Sequence, residues 1–426
     1  MTADLPGTAD LSRTRRGGLW HHLDFRRLWI GETVSQFGSN ISQLALPLIA
    51  ILILRASTFE VGLLVTCQLA AFLVVGLPAG AWVDRMRFRS VLIVNDLLRA
   101  AALASIPVAH WLGVLSIGQL YAVALLTGIC TVFFDVAYQS YLPQLVQRQE
   151  LVEANAKLQA SESVAQIGGP SLGGALIQVL TAPYAILLDG LSFLWSAAWV
   201  HAIRARPPRP ERAPDRNLRR EIGEGLRFVL GNRLLRAIAM CTGLSNLFAA
   251  MASAVFYVLL ARELRLSAGW IGLIESTSAI GGLVGSLLAR RVADWLGQGP
   301  AIWVAALAMG PGGFVAPFVQ RDWTLGLLAL AQAVMWVAVV VYNITQVSFR
   351  QGLCPPALLG RMNATMRFLV WGAMPVGGVL GGLLGSAIGV RQTLFVVAVG
   401  SALTFLPVFL SPLRDLKELP SAAATV

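Results

Sequence analysis

The chain has 426 residues, of which 56% are hydrophobic and 13% are charged. An ordinary soluble domain carries roughly twice that share of charged residues, about 25%, so the composition excludes one. The formal net charge is +11, which would suit a nucleic-acid partner unless the placement of the charges explains it.

Long apolar runs recur along the whole chain. Each has about 20 residues or more, the length that a helix needs to cross ~30 Å of hydrocarbon. We number them as segments 1 to 12: 28–54, 61–83, 91–112, 117–140, 158–180, 184–203, 235–260, 270–290, 301–319, 324–346, 364–388 and 393–411. They must be helical because lipid offers the backbone no hydrogen-bond partners. The predicted fold class is an all-α integral membrane protein with twelve transmembrane helices.

The polar stretches around these segments divide the chain. They predict a cytoplasmic N-terminal segment at 1–27, a six-helix half at 28–203, a basic linker at 204–234, a second six-helix half at 235–411 and a cytoplasmic tail at 412–426. The linker contains Pro207, Pro208, Pro210 and Pro214 among many arginines. We interpret it as a solvated basic loop near anionic lipid headgroups.

Charge placement orients the predicted bundle. Most of the 33 lysine and arginine residues fall on the side of the N-terminal segment, the linker and the tail. The positive-inside rule then places both termini in the cytoplasm, and no nucleic acid is needed to explain the charge. The apolar run after the polar first 27 residues is too long for a signal-peptide core, so no cleavable signal is expected. Lys157 and Lys417 are the only lysines, which hints at a GC-rich bacterial genome and thus at a bacterial inner membrane.

Residue types that commonly hold metals or catalyse reactions form no pattern here. The four cysteines contain no CxxC pair, the four histidines lie near predicted membrane boundaries, and no HExxH motif occurs. Neither a metal, a cofactor nor a catalytic residue is therefore expected. ATP use is excluded because a Walker A loop needs Gly-Lys-Ser/Thr, and no glycine precedes either lysine.

A short pattern repeats at about half the chain length. Leu151, Asn155-Ala156 and Gly173-Gly174 recur 208 residues later as Leu359, Asn363-Ala364 and Gly381-Gly382. This offset predicts two pseudo-symmetric six-helix halves around a central cavity, and duplicated membrane bundles mostly transport.

Polar side chains form stripes on segments 1, 4, 7 and 10, the first and fourth of each predicted half. Polar groups inside a membrane usually face a cavity or a partner, so we expect these stripes to line the central cavity. Interhelical hydrogen bonds that hold the bundle together are the alternative. The cavity-lining candidates are Gln36, Asn40, Gln43, Thr127, Thr131, Tyr138, Thr242, Asn246, Ser253, Tyr257, Gln332, Trp336, Asn343 and Gln346.

Carboxylic acids also lie within the apolar segments. Removal from water favours the neutral form of such an acid, which is the property that a proton-coupled carrier uses. The proton-coupling candidates are Glu32, Asp135, Asp189 and Glu275. Asp96 has Arg99 one turn away, so we interpret these two as a structural ion pair.

Glycines at helical spacing predict close helix packing. GxxxG pairs occur at 76 and 80 and at 281 and 285. The candidates for packing and gating are Gly169, Pro170, Gly173 and Gly174 in segment 5 and Gly377, Gly381 and Gly385 in segment 11.

The loop between segments 2 and 3 resembles the signature of the major facilitator superfamily, G-x-x-x-D-R-x-G-R-K. Gly80, Asp84, Arg85 and Arg89 match, while Arg87 replaces the second glycine and the next basic position is also changed. The resemblance implies that these four residues form a cytoplasmic latch, in which Asp84 and Arg85 favour the outward-open state.

Two further stretches resemble particular branches of that superfamily. Gly169-Pro170-Ser-Leu-Gly173-Gly174 is similar to the end of the drug/proton antiporter motif G-P-x-x-G-G, although alanines replace its two upstream glycines. A resemblance to the macrolide- and siderophore-exporting branch appears in two stretches, Phe134-Asp135-Val-Ala-Tyr138-Gln139 and Leu359-Gly360-Arg361-Met-Asn363-Ala364.

The resemblance implies a secondary active transporter that exports a mid-sized hydrophobic compound, such as an antibiotic, drug or siderophore, in exchange for protons. It implies alternating access by a monomer in membrane lipid, with a small molecule and protons as partners. A proton-coupled importer of a small nutrient such as a sugar is the nearest alternative. An integral-membrane enzyme or a non-transporting receptor is a more remote one.

Overall fold

The computed structural model describes residue 19 and residues 22–83, 85–147, 150–205, 218–355 and 358–416. Within these residues the chain forms helices and turns, without a strand. The α-helices are α1 (Leu23–Leu48), α2 (Thr58–Val83), α3 (Phe88–Trp111), α4 (Ile117–Leu145), α5 (Leu151–Leu180), α6 (Ala182–Ala202), α7 (Leu218–Gly231), α8 (Arg233–Val258), α9 (Ala268–Leu296), α10 (Gln298–Ala308), α11 (Thr324–Leu353), α12 (Leu359–Trp371), α13 (Ala373–Ala387), α14 (Val390–Leu403) and α15 (Leu406–Phe409).

Eleven helical stretches within the described residues are long and apolar enough to cross a membrane. They coincide with the predicted segments 1–4 and 6–12. Segment 5 corresponds to α5, which has 30 residues but is not among the eleven. Its first turns carry Glu153, Lys157 and Glu162 together with several amides and hydroxyls, and these polar groups lower its mean hydropathy.

Three predicted segments are interrupted in the structure. Segment 9 is α-helical only over α10, after which two short 3₁₀ turns follow at Pro311–Phe314 and Ala316–Phe318. Segment 11 is divided between α12 and α13 at Gly372, and segment 12 between α14 and α15. Proline removes a backbone donor and glycine weakens a helix, so an unbroken apolar run does not guarantee an unbroken helix.

The basic linker contains a helix, α7, that was not predicted. Its end is followed directly by α8, whose first amides bond the Asn232 side chain at 2.9 and 3.2 Å. Val229 is 0% exposed, and Glu224 forms an ion pair with Arg361 at the start of α12. The interpretation of 204–234 as a solvated loop is therefore wrong for α7, because this helix buries one face against the bundle. The four linker prolines lie outside the described residues.

The turns between helices fall alternately at two ends of the bundle. We call the end with the turns at 54–57, 264–267 and 388–389 the distal end. The opposite end, with the turns at 85–87 and 203–205, is the proximal end.

Two turns at the distal end share one backbone conformation. α1 continues into a π-helical turn at Ile49–Ile53, and α8 continues into one at Leu259–Glu263. Each turn leads to an arginine with positive φ, 52° at Arg55 and 50° at Arg265. The backbone hydrogen bonds that close the two turns also match.

The helices before the linker pair with one another much as the later helices do. α1 packs against α5 and α6, α2 against α4, and α3 against α4 and α6. In the later set, α8 packs against α13 and α14, α9 against α11, and α10 against α11. α5 with α9 and α2 with α13 join the first set to the second.

Candidate functional site

The charged groups inside the bundle centre on Arg99 of α3. Arg99 is 5% exposed and forms an ion pair with Asp96, which is fully buried. Its guanidinium lies between the rings of Phe134 and Phe193, 4.4 and 4.0 Å from their centroids. The predicted ion pair between Asp96 and Arg99 is confirmed, and the two rings further stabilise its cation.

Three of the four proton-coupling candidates lie within electrostatic reach of this pair. The charge of Arg99 acts on Glu32 in α1, Asp135 in α4 and Asp189 in α6. The fourth candidate, Glu275 in α9, instead lies near the hydroxyl of Tyr257 in α8. The structure therefore gathers carboxylates from three helices around one buried cation.

These three carboxylates have different surroundings. Asp189 is 1% exposed and accepts a hydrogen bond from Ser192 at 3.1 Å. Glu32 accepts one from Gln36 at 3.1 Å, and its second oxygen is buried without a partner among the described residues. Asp135 is partly exposed and forms no hydrogen bond or ion pair with a described residue. Asp189 is thus enclosed, whereas Glu32 and Asp135 are partly exposed and Asp135 has no partner among the described residues.

The other candidates on α1 and α4 bond mainly within their own helices. Asn40, Thr127 and Thr131 each donate to the carbonyl four residues earlier, at 2.8 Å. Gln43 is exposed, and the hydroxyl of Tyr138 is buried without a partner in the described part of the chain.

The candidates on α8 and α11 divide between internal contacts and exposed positions. The hydroxyls of Thr242 and Tyr342 are 2.6 Å apart, and Asn246 donates to the carbonyl of Val370 at 3.2 Å. These contacts are of the interhelical kind that was the alternative interpretation of the stripes. Ser253, Tyr257 and Gln332 are partly buried, Gln346 is buried, and Trp336 and Asn343 are exposed.

α5 contributes a polar face that the sequence analysis missed. Glu162 accepts hydrogen bonds from Gln159 and Gln166, both at 3.2 Å, and the three side chains are at least partly exposed. The charge of Glu162 acts on Asp135 and Tyr138 of α4. The spacing of three and four residues along α5 is the signal that could have found this face.

Glycines of α5 and α13 permit close approach to matching positions of α1 and α8. A Cβ on Gly173 would lie 3.2 Å from the Cα of Ile41, and one on Gly381 would lie 2.7 Å from the Cα of Met251. The remaining candidates also lie against other helices. A Cβ on Gly169 would meet Asn40, one on Gly174 would meet Ala268, one on Gly377 would meet Leu247, and one on Gly385 would meet Thr58 and Val255. The carbonyl of Pro170 lies against Gly272.

At the distal end the two sets of helices touch directly. A Cβ on Gly62 of α2 would lie 2.6 Å from the Cα of Gly382 in α13. The hydroxyls of Ser171 in α5 and Ser276 in α9 are 2.7 Å apart. The distal end is therefore closed by contacts between backbones and small side chains.

The signature loop is only partly described. Arg89 donates to the carbonyls of Val200 and His201 and so ties the start of α3 to the end of α6. Arg85 is exposed in the turn after α2, and Gly80 lies within α2. Asp84 lies outside the described residues, so the ionic latch stays a prediction.

A bundle of apolar helices that encloses carboxylates and a paired cation is typical of a membrane transport protein, because ionisable groups inside a membrane mark ion or substrate paths. The model of the Major Facilitator Superfamily matches residues 28–374. The chain belongs to this superfamily, whose members are transporters, as its signature loop predicted.

Similar proteins share nearly the whole length of the chain. It is 28% identical over 421 residues to the multidrug efflux pump Tap of Mycolicibacterium fortuitum, covering 95% of this chain and 98% of Tap. It is 26% identical over 376 residues to the enterobactin exporter EntS of Citrobacter koseri, covering 87% of this chain and 86% of EntS. The solved structure of the nucleoside transporter NupG has the same fold, with a TM-score of 0.77 at 12% identity over 91% of this chain and 98% of that one.

Proposed function

We propose that this protein is a proton-driven exporter of a mid-sized hydrophobic compound such as an antibiotic, a drug or a siderophore. The observation that carries the proposal is the group of Glu32, Asp135 and Asp189 around the Asp96–Arg99 pair. Carboxylic acids held inside a bundle beside a cation can take up and release protons. Tap and EntS, which are named as an efflux pump and an exporter, support the outward direction. Glu275 is a fourth candidate, in the second half.

We propose that α5 is the twelfth membrane-spanning helix and that the bundle consists of two six-helix halves, 28–203 and 235–411. The matched helix pairings and the matched π-helical turns support two halves. α5 packs against α1, α6 and α9, so its polar side chains can face protein or a cavity instead of lipid.

We propose that the proximal end, where Arg85, Arg87 and Arg89 lie, faces the cytoplasm of a bacterial cell, with both termini on that side. The closed distal end is then outside, and the state described is one that opens inward. Substrate enters a central cavity lined by the polar stripes from the cytoplasm or the inner leaflet, and the protein works as a monomer.

Rocking of the halves exposes the substrate outside, and inward proton movement drives the cycle. One charge that crosses 100 mV supplies ~2.3 kcal/mol, which supports roughly a 50-fold gradient. The glycines of α5 and α13 let helix surfaces slide, and the latch of Gly80, Asp84, Arg85 and Arg89 stabilises the outward-open state.

Flux into everted vesicles with an acid interior tests the proposal, with a panel of fluorescent drugs and siderophores. Everted vesicles present the cytoplasmic face outward, so an exporter accumulates substrate and loses this activity when the pH gradient collapses. Glu32→Gln and Asp189→Asn are expected to weaken gradient-driven accumulation. Asp294→Asn is the control, because Asp294 is 71% exposed and its ion pair with Arg290 is 3.6 Å long. No accumulation across the panel, with pH-driven sugar uptake by cells, would indicate an importer instead.

A further inference from the structure

On the basis of the proposed export function, we propose that the substrate is an organic cation whose protonated amine binds to the first half between Asp135, Tyr138 and Glu162. We call these three residues, together with Glu32, the acidic wall. The inference rests on the charge balance of the wall, on polar atoms that lack partners, and on neighbouring aromatic rings.

Carboxylic acids outnumber cations around the acidic wall. The cations that act on it are Arg99 and Arg367. Arg99 is paired with Asp96, and Arg367 lies over the ring of Trp371, 4.8 Å from its centroid. Neither forms an ion pair with Asp135 or Glu162 among the described residues. The acids are Glu32, Asp96, Asp135, Glu162 and Asp189. A cationic substrate would supply the charge that is missing.

Three buried polar atoms at the wall lack a partner among the described residues. They are Oε2 of Glu32, Oε1 of Gln36 and the hydroxyl of Tyr138. The charges of Glu32, Asp135 and Glu162 all act on Tyr138, so its hydroxyl lies among these carboxylates. The glutamate and glutamine oxygens are acceptors. N–H and O–H donors are therefore the ligand groups that satisfy them, and the excess of carboxylic acids favours the charged N–H donors of an ammonium group.

Aromatic rings border the wall. Tyr138 of the wall stacks on Phe134 with 6.0 Å between ring centroids. Ring faces attract a cation and pack well against a hydrophobic body. A catechol group carries no positive charge to offset these carboxylates, so the wall favours amine-bearing aromatic compounds over catecholate siderophores.

Equilibrium binding to the purified protein in lipid nanodiscs, without any ion gradient, tests this inference. The probes are doxorubicin, which carries a protonated amine, and N-acetyl-doxorubicin, which has the same ring system without the charge. We expect the wild type to bind the amine at least about tenfold more tightly, as one charge-assisted hydrogen bond would give. Asp135→Asn is expected to remove this preference and leave the affinity for the N-acetyl compound unchanged. Asp294→Asn is the matched control and should bind both probes as the wild type does.

Binding of the N-acetyl compound by Asp135→Asn also shows that the variant is folded. If that variant binds neither probe, Glu162→Gln is measured in the same way, with the same expected loss of preference. Equal affinities in the wild type, a preference that survives the substitution, no doxorubicin binding, or tighter binding of a catecholate siderophore would each overturn the inference. A different result would contradict the proposed export function: a drug that binds to the protein but does not accumulate in acid-interior vesicles.

Discussion

Arg99 connects residues that are widely separated in the sequence. Its partner Asp96 lies one turn away on the same helix, and this spacing alone predicts the pair. The carboxylates of Glu32, Asp135 and Asp189 reach it from three other helices. Which face of each helix meets Arg99 depends on how the helices rotate and cross. A single apolar run does not encode that, so the sequence identifies these carboxylates but not their grouping.

The Asp96–Arg99 pair is expected to be a major determinant of stability. Asp96→Asn leaves the buried guanidinium without its ion-pair partner, and breaking a buried pair from one side costs about 3–5 kcal/mol. The thermal unfolding midpoint of the detergent-purified protein should fall markedly. Asp294→Asn, which removes an exposed partner, should shift it little because exposed pairs contribute about 0–1 kcal/mol. Similar midpoints for the two variants would contradict a structural role for the buried pair.

At the scale of elements, the sequence predicts what the hydrocarbon thickness determines. Eleven of the twelve predicted segments coincide with spans because about 20 apolar residues must be helical in lipid. The breaks at Gly372 and after Ala308 were not predicted, since neighbouring helices can satisfy the groups that glycine and proline leave free. α7 was not predicted because it lacks the long apolar run that marks a membrane-spanning helix. It is short and basic, and it is held by contacts such as Glu224–Arg361 rather than by its own apolar length.

Gly62 is expected to control closure of the distal end. A Cβ at this position would lie 2.6 Å from the Cα of Gly382, so Gly62→Ala must push α2 away from α13. Overpacking of this kind costs about 1–3 kcal/mol. This is enough to change the ratio of molecules with a closed distal end to those with an open one by about tenfold. Spin labels at Val114→Cys and Arg321→Cys, in distal turns, should report longer distances in the Gly62→Ala protein.

Gly76 provides the control for that experiment. It lies in the same helix, but a Cβ there would meet nothing within 4 Å, so the close packing predicted from the glycine spacing is wrong for Gly76. Gly76→Ala should therefore leave the distance distribution unchanged. If Gly62→Ala leaves it unchanged as well, the glycine contact does not hold the distal end closed.

For the whole molecule, closure by small residues has a mechanical consequence. The contacts of α2 with α13 and of α5 with α9 at the distal end bring backbones together through Gly62, Gly382 and Gly174, and through the hydroxyls of Ser171 and Ser276. Separating such surfaces breaks no buried ion pair, so its cost is spread over weak packing contacts and hydrogen bonds such as the one that Arg262 donates to the carbonyl of Ala56. The buried Asp96–Arg99 pair lies inside the first set of helices. A rocking motion can therefore leave the Asp96–Arg99 pair intact while it opens the distal end.

The direction of transport depends on which end faces the cytoplasm, and labelling from one side of the membrane determines it. Arg321 lies exposed in a distal turn, whereas Asp294 lies exposed at the proximal end of α9. Cys130, Cys241 and Cys354 are buried and Cys67 is partly buried, so an introduced cysteine is labelled selectively. An impermeant maleimide should label Arg321→Cys in intact cells but Asp294→Cys only after permeabilisation, because positive charge is retained on the cytoplasmic side. The reverse pattern would make the closed end cytoplasmic and the described state outward-open, and it would contradict the orientation on which the export cycle rests.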